Sequence, residues 1–273
     1  MSTYKIIATD LDGTLFNEHK EISAENEAAI KELHARGVLV VPNSGRCMIE
    51  MPPLIKNHPY FRYLIQSDGA VVYDKKTGKR LTHCMQKDVS DKVLAILKDY
   101  RSSISIRQNG LCYVKDSAHN DADYKANNVN DGWRDYFYKV ATPTDFSFFE
   151  RPDTEIEMIC VFFADMEERA ACSARLLALG TVQIASTAEN NIEIFSVDAG
   201  KGKALLALAA SLGIDGKDTV GVGDSTNDSD MILRAGLGLV MENACDELKA
   251  LGGTVICHHR DHVMRYILEH YIK

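Results

Sequence analysis

The chain has 273 residues, 45% of them hydrophobic and 26% charged, which suffices for a sizeable core and permits two domains. A formal net charge of −8 without a basic cluster argues against a nucleic-acid partner. No apolar stretch is long enough for a signal peptide or a membrane span, so a cytoplasmic location and no membrane partner are expected.

A short, apolar, β-branched run at 4–9 reads as a buried strand of a parallel sheet, and Gly13 then releases the backbone into a loop. That exit carries Asp10-Leu11-Asp12-Gly13-Thr14-Leu15. Two carboxylates spaced i, i+2 at a strand end can divide labour, the first attacking and the second handling protons, while loop amides cradle an anion. An acidic turn is the competing reading. A helix follows at 23–36 with Ser23 as its N-cap, then a strand at 38–41 that ends in Pro42-Asn43-Ser44-Gly45-Arg46, where Ser44 places a hydroxyl on a post-strand loop. A helical stretch after Arg46 and a strand around 63–66 complete the first part.

The middle differs. Runs at 71–73 and 80–82 flank a hairpin-like turn, and a helix near 90–100 precedes strands at 104–107 and 111–115. The Asn- and Asp-rich stretch 116–135 reads as a solvated loop in preference to a mobile lid, and Trp133, Tyr136, Phe137 and Tyr138 as packed core in preference to a sugar platform. A strand at 156–163, a helix at 167–179 and strands at 181–186 and 191–196 follow.

The last part opens with Lys201-Gly202-Lys203 and a helix at 202–212. A strand at 219–223 runs into Asp224-Ser225-Thr226-Asn227-Asp228, and the pattern continues as helix 227–235, strand 237–241, helix 244–251, strand 254–257 and helix 261–271. Such alternation predicts a doubly wound parallel sheet whose strand-end loops converge on one crevice. Two acidic loops, a hydroxyl and a lysine then share a pocket. Asp10 and Asp224 offer hard oxygen ligands for Mg²⁺, and a lysine with a hydroxyl can neutralise a transferring phosphoryl group. A carboxylate nucleophile needs that help, because two unit charges about 4 Å apart at an effective dielectric near 20 interact by roughly 4 kcal/mol.

Taken together, Asp10 to Leu15, Ser44-Gly45-Arg46, Asp68-Gly69-Ala70, Lys201 to Leu205 and Gly223 to Asp228 resemble, in order, the motifs of the haloacid dehalogenase superfamily, and within it the Cof-type phosphatases with a cap between the second and third motifs. The resemblance covers the whole chain. It implies a Rossmann-like core from residues 1–84 and 191–273 and an α/β cap from 85–190. It also implies that Asp10 is the nucleophile forming an aspartyl-phosphate, with Asp12 the general acid and base. Ser44, Lys201 and Asn227, with Leu11, Asp12 and Gly45, would hold the phosphoryl oxygens. Asp10, the Asp12 carbonyl, Asp224 and Asp228 would surround Mg²⁺. Lys203 is read as a solvated helix-start lysine.

Three departures stand out. Ser44 replaces the commoner threonine and keeps its hydroxyl; Asp68 replaces asparagine and brings a further negative charge; Glu242, before Asn243-Ala244, replaces glycine. Seven cysteines form no C-x-x-C pair and are expected to be reduced and mostly buried, and the stretch Cys257-His258-His259-Arg260-Asp261-His262 matches no zinc spacing. The expected activity is Mg²⁺-dependent hydrolysis of small phosphorylated metabolites, foremost sugar phosphates, by a monomer or weak homo-oligomer. The alternatives are a receiver-type phosphoaspartate signalling module, against which Asp12 argues, and a phosphotransferase or mutase.

Overall fold

The computed structural model describes residues 4–273; Met1–Thr3, part of the N-terminal stretch read above for a signal peptide, lie outside the described residues. The chain forms two compact units. One holds the residues up to Gly45, Pro52–Thr82 and Gly200–Lys273; the other holds Arg46–Met51 and His83–Ala199.

The first unit is built on a five-stranded, wholly parallel sheet in which Ile6–Thr9 lies between Thr219–Gly223 and Leu39–Pro42, with Leu237–Val240 and Thr254–Val255 extending the far side. Ile6, Ile7 and Ala8 are fully buried, which is why this strand shows no polar alternation. Ile6 and Ala8 pack with Ala204, Leu205, Leu208 and Met231, and alternation turns Ile7 to the opposite face. The helix Ala24–Ala35 packs against Val263–Tyr271, and Lys201–Ser211 against Ser229–Arg234. The Ser23 hydroxyl accepts from the Asn26 amide and caps the first of these helices as its sequence requires.

Tyr63–Gln66, Val71–Asp74 and Arg80–Thr82 form a separate antiparallel sheet, tied to the parallel one by a bridge between Asn43 and Ile65. The helical stretch expected after Arg46 shrinks to one turn, Pro53–Lys56, because prolines at 52 and 53 remove the donors a longer helix would need.

The second unit is a six-stranded sheet in the order Val182–Ala185, Asn191–Ser196, Met158–Phe163, Ser102–Gln108, Leu111–Lys115 and Ala141–Thr144, antiparallel except for the last pair. Every residue of Met158–Phe163 is buried because both faces are covered. Ile159, Val161 and Phe163 pack with Val93, Leu97, Cys172 and Leu176 of the helices Lys87–Leu97 and Met166–Leu177, while Cys160 and Phe162 pack with Tyr124 and Phe137.

Two expectations change here. The stretch 116–135 is not a solvated loop: it holds the helix Asp121–Ala126 and the start of Asp131–Val140, with the side chains of Asn120 and Asn130 accepting from the amides of Asp123 and Trp133. The residues that suggested a loop are the helix caps. In addition, Asn191–Ser196 pairs antiparallel with Met158–Phe163, so the second unit runs to Ala199 and also takes in Arg46–Met51. Phe137 is buried, Trp133 and Tyr136 pack beside it, and Tyr138 is exposed. All seven cysteines are thiols outside any disulfide, five of them buried. Among the described residues no helix is long and apolar enough to cross a membrane.

Candidate active site

Asp10 is placed by the central strand. Its amide donates to the Val222 carbonyl, and the chain then tightens through Leu11–Leu15, where Leu15 and Phe16 donate back to Asp10 and Leu11. Gly13 sits at φ +79°, and a Cβ there would come within 2.3 Å of an Asp224 carboxylate oxygen, so the turn and the close approach both require glycine. The next strand of the sheet delivers Asp224. Its carboxylate accepts from the Thr14 hydroxyl at 3.0 Å, which fixes one acidic loop to the other.

Lys201 starts a helix whose N-cap residue, Gly200, has no side chain to cap it. The cap comes instead from Asp230, which accepts the amides of Gly202 and Lys203 at 3.0 Å each. Asn43 adds a second hold by donating to the Lys201 carbonyl at 3.0 Å. The ammonium, fully buried, thereby reaches Asp10 at 2.7 Å and Asp228 at 2.6 Å. The other Asp228 oxygen accepts from the amides of Asp224 and Ser225, both at 3.0 Å.

Ser44, also buried, stands beside this group: its amide donates to Ile65 and its carbonyl accepts from Asp68. The Gly45 Cα faces the Asp68 carboxylate, whose oxygens a Cβ would meet at 3.3 Å. Asp68 has φ +50° and accepts from the Asn227 amide at 3.2 Å. Asp10, Asp228 and Lys201, all buried, are therefore assembled in one cluster with the half-buried Asp224, with Ser44, Gly45, Asp68 and Asn227 along one side. Leu11 is buried under the loop. The Asp12 side chain lies outside the cluster, 42% exposed, with the Lys20 ammonium 3.2 Å away.

The electrostatics are those of a charge-dense pocket. Burial pushes the Asp10 carboxyl well above the usual range, against the pull of Lys201. Burial also opposes the charge on Lys201, but Asp10, Asp228 and Asp68 outweigh it and hold the lysine above its ordinary value. Asp224 is pushed up to about 6, first by burial and then by Asp228. Three carboxylates around one ammonium leave surplus negative charge, and a hard cation is the partner that would relieve it. Asp10, Asp224 and Asp228 each offer an oxygen within 4.8 Å of the others, the only group of three or more such ligands among the described residues. The Cys257-to-His262 stretch forms no such group.

Sequence reasoning missed Thr14, Asn43 and Asp230, whose partners lie far away along the chain. Asp68, read as a liability, is built into the cluster through Asn227 and the Lys201 charge.

A model of the haloacid dehalogenase-like hydrolases matches residues 7–268. The Phosphatase YwpJ of Bacillus subtilis is 30% identical over 285 residues, covering 97% of this chain and 99% of that protein. The 5-amino-6-(5-phospho-D-ribitylamino)uracil phosphatase YwtE of the same organism is 32% identical over 267 residues, 90% of each. A solved haloacid dehalogenase-like hydrolase from B. subtilis is similar with a TM-score of 0.79 at 27% identity, covering 97% of this chain and 99% of that one.

Proposed function

The chain belongs to the haloacid dehalogenase-like hydrolases, and on that premise we propose that it is a Mg²⁺-dependent phosphomonoesterase of small phosphorylated metabolites, sugar phosphates foremost, working through an aspartyl-phosphate. The observation that carries this reading is the buried Lys201 ammonium bridging Asp10 and Asp228 with Asp224 alongside. Lys201 at 2.7 Å opposes the burial that favours the neutral form of Asp10, and so works toward the charged form a nucleophile needs. Asp10 attacks phosphorus, the ester oxygen leaves with a proton from Asp12, and Asp12 then takes a proton from the water that cleaves the acyl phosphate. The two transfers close a cycle, the proton that Asp12 gives to the leaving oxygen being replaced by the one it takes from water. Ser44, Lys201 and Asn227, with the loop amides of Leu11 and Asp12 and with Gly45, hold the phosphoryl oxygens.

Asp10, Asp224, Asp228 and the Asp12 carbonyl are the residues that would hold Mg²⁺, and the surplus negative charge of their cluster fits that cation. When bound, it neutralises charge on the phosphoryl group. The second unit is proposed as the cap that selects the leaving group. YwtE is named for a small phosphate ester, and the same class of substrate is extended to this chain. A cytoplasmic location, where thiols stay reduced, agrees with seven cysteines outside any disulfide. The reading is tested by phosphate release from a generic aryl phosphate and from a panel of phosphometabolites. Release should require Mg²⁺ and stop with EDTA; a folded protein that hydrolyses no phosphomonoester would contradict it.

A further inference from the structure

The proposed chemistry leaves two motifs unused, Asn243 next to the unusual Glu242 and the histidine-rich stretch near the C-terminus. The structure joins them at the back of the acidic loops. The Asn243 side-chain amide donates to the Gly13 carbonyl at 2.8 Å, and its oxygen accepts the His259 backbone amide at 3.0 Å. The His259 ring bonds the Phe16 carbonyl at 3.0 Å, and because a carbonyl only accepts, Nδ1 carries the proton. The loop that begins at Asp10 is thus gripped at Gly13 and at Phe16. The same short turn also holds the second acidic loop, since the Cys245 amide donates to the Asp224 carbonyl at 3.0 Å and the Met241 amide to that of Gly223.

We propose that Asn243 is a positioning residue of the proposed phosphatase reaction, and that with His259 it sets the spacing between the loop of Asp10 and Asp12 and the loop of Asp224. The physical case is one of tolerance. Gly13 already abuts Asp224 with no room for a methyl group, while Leu11, Leu15 and Phe16 anchor the loop in the apolar core, so the hydrogen bonds at Gly13 and Phe16 decide how its polar face sits against Asp224. Hydrogen bonds that orient the supporting shell of a charged site typically affect activity about 10- to 100-fold when removed. The Asn243 side chain bonds the backbone of Gly13 and His259, not Lys201 or a site carboxylate, so its effect must pass through loop geometry.

The inference rests on the proposed activity, so its test carries a readout that does not. Asn243→Asp keeps the acceptor and places a carboxylate oxygen against the Gly13 carbonyl; Asn243→Ala removes both bonds; His259→Ala removes only the grip on Phe16. In each variant, amide exchange read by mass spectrometry should speed up in peptides spanning 10–16 and 224–228 while the helix Lys201–Ser211 keeps its protection. With aryl phosphate, kcat should fall about 10- to 100-fold in both Asn243 variants and less in His259→Ala, with KM changing less than about threefold. Unchanged exchange in the two loops, exchange rising equally everywhere, or a kcat within about twofold of the parent would overturn the proposal. A parent without phosphatase activity whose loops still loosen in the variants would instead sink the proposed reaction and leave the loop clamp standing.

Discussion

At the scale of single residues the proposed reaction gives the two first-loop aspartates separable roles. Asp10→Asn should erase turnover and any covalent phosphoenzyme, whereas Asp12→Asn should slow the chemistry by about 10²- to 10⁴-fold, the usual contribution of a general acid or base. Steady-state and acid-quench assays distinguish the two, and near-parental activity in Asp10→Asn would overturn the roles. Asp224 gives a pH prediction. Its carboxyl is raised to about 6 by burial, so the fold binds its proton more tightly than the unfolded chain does. Without metal, that contribution is full below the unfolded carboxylate pKa and is lost as the pH rises through about 6. In EDTA, Asp224→Asn should therefore gain stability relative to the parent between about pH 4 and pH 7, by up to ~3 kcal/mol. Urea unfolding at both values checks this, and a pH-independent difference contradicts it. That Asp10 and Asp224 meet was legible in the sequence because each follows an apolar run that reads as a strand of one parallel sheet, whereas the exposed place of the Asp12 side chain outside their cluster was not. The bonds of Thr14 to Asp224, of Asn43 to Lys201 and of Asn243 to Gly13 were not legible either, since they span 210, 158 and 230 residues.

At the scale of elements, the parallel strands were legible because continuous apolar runs have few other uses, and the first helix because Ser23 marks its start. The failure at 116–135 has a specific cause. Asn and Asp favour turns and helix N-caps by the same side-chain-to-amide bond, and two short helices with closely spaced caps carry the composition of a loop. Asn130→Ala should then lower the unfolding free energy by about 1 kcal/mol, and Asn130→Ser should restore most of it. Denaturant melts decide the matter; no loss on removing the Asn130 side chain would mean that the cap bond contributes nothing.

At the scale of the molecule, the inserted unit was legible as a change from regular alternation to hairpins, but its edges were not. The strand at 191–196 stands next to the return to the parallel core, and its antiparallel pairing with Met158–Phe163 places it in the second unit. The segment 46–51 was also unforeseen. Glu50 there pairs with Arg107 at 3.0 Å, both side chains 2% exposed, while its other oxygen accepts the Cys47 amide at 2.8 Å. Exchanging 83–199 for a relative's segment should change which phosphate ester is preferred and keep the need for Asp10 and Mg²⁺. An exchange that strands Glu50 without Arg107 should also lose ~3–5 kcal/mol of stability, the usual consequence of leaving one partner of a buried ion pair. A swapped protein with the parent's ester preference would count against the second unit as the selector.

The proposed reaction turns on the Asp10 carboxylate becoming covalently phosphorylated and then released. Rapid acid quench of the Mg²⁺-loaded protein turning over an aryl phosphate, followed by peptide mass spectrometry, reads that step without an intermediary. A phosphoryl group on Asp10 that forms and decays within turnover, and is absent from Asp10→Asn, is the expected result; steady phosphate release with no phosphoryl group on Asp10, or a phospho-Asp10 that outlasts turnover, would contradict it.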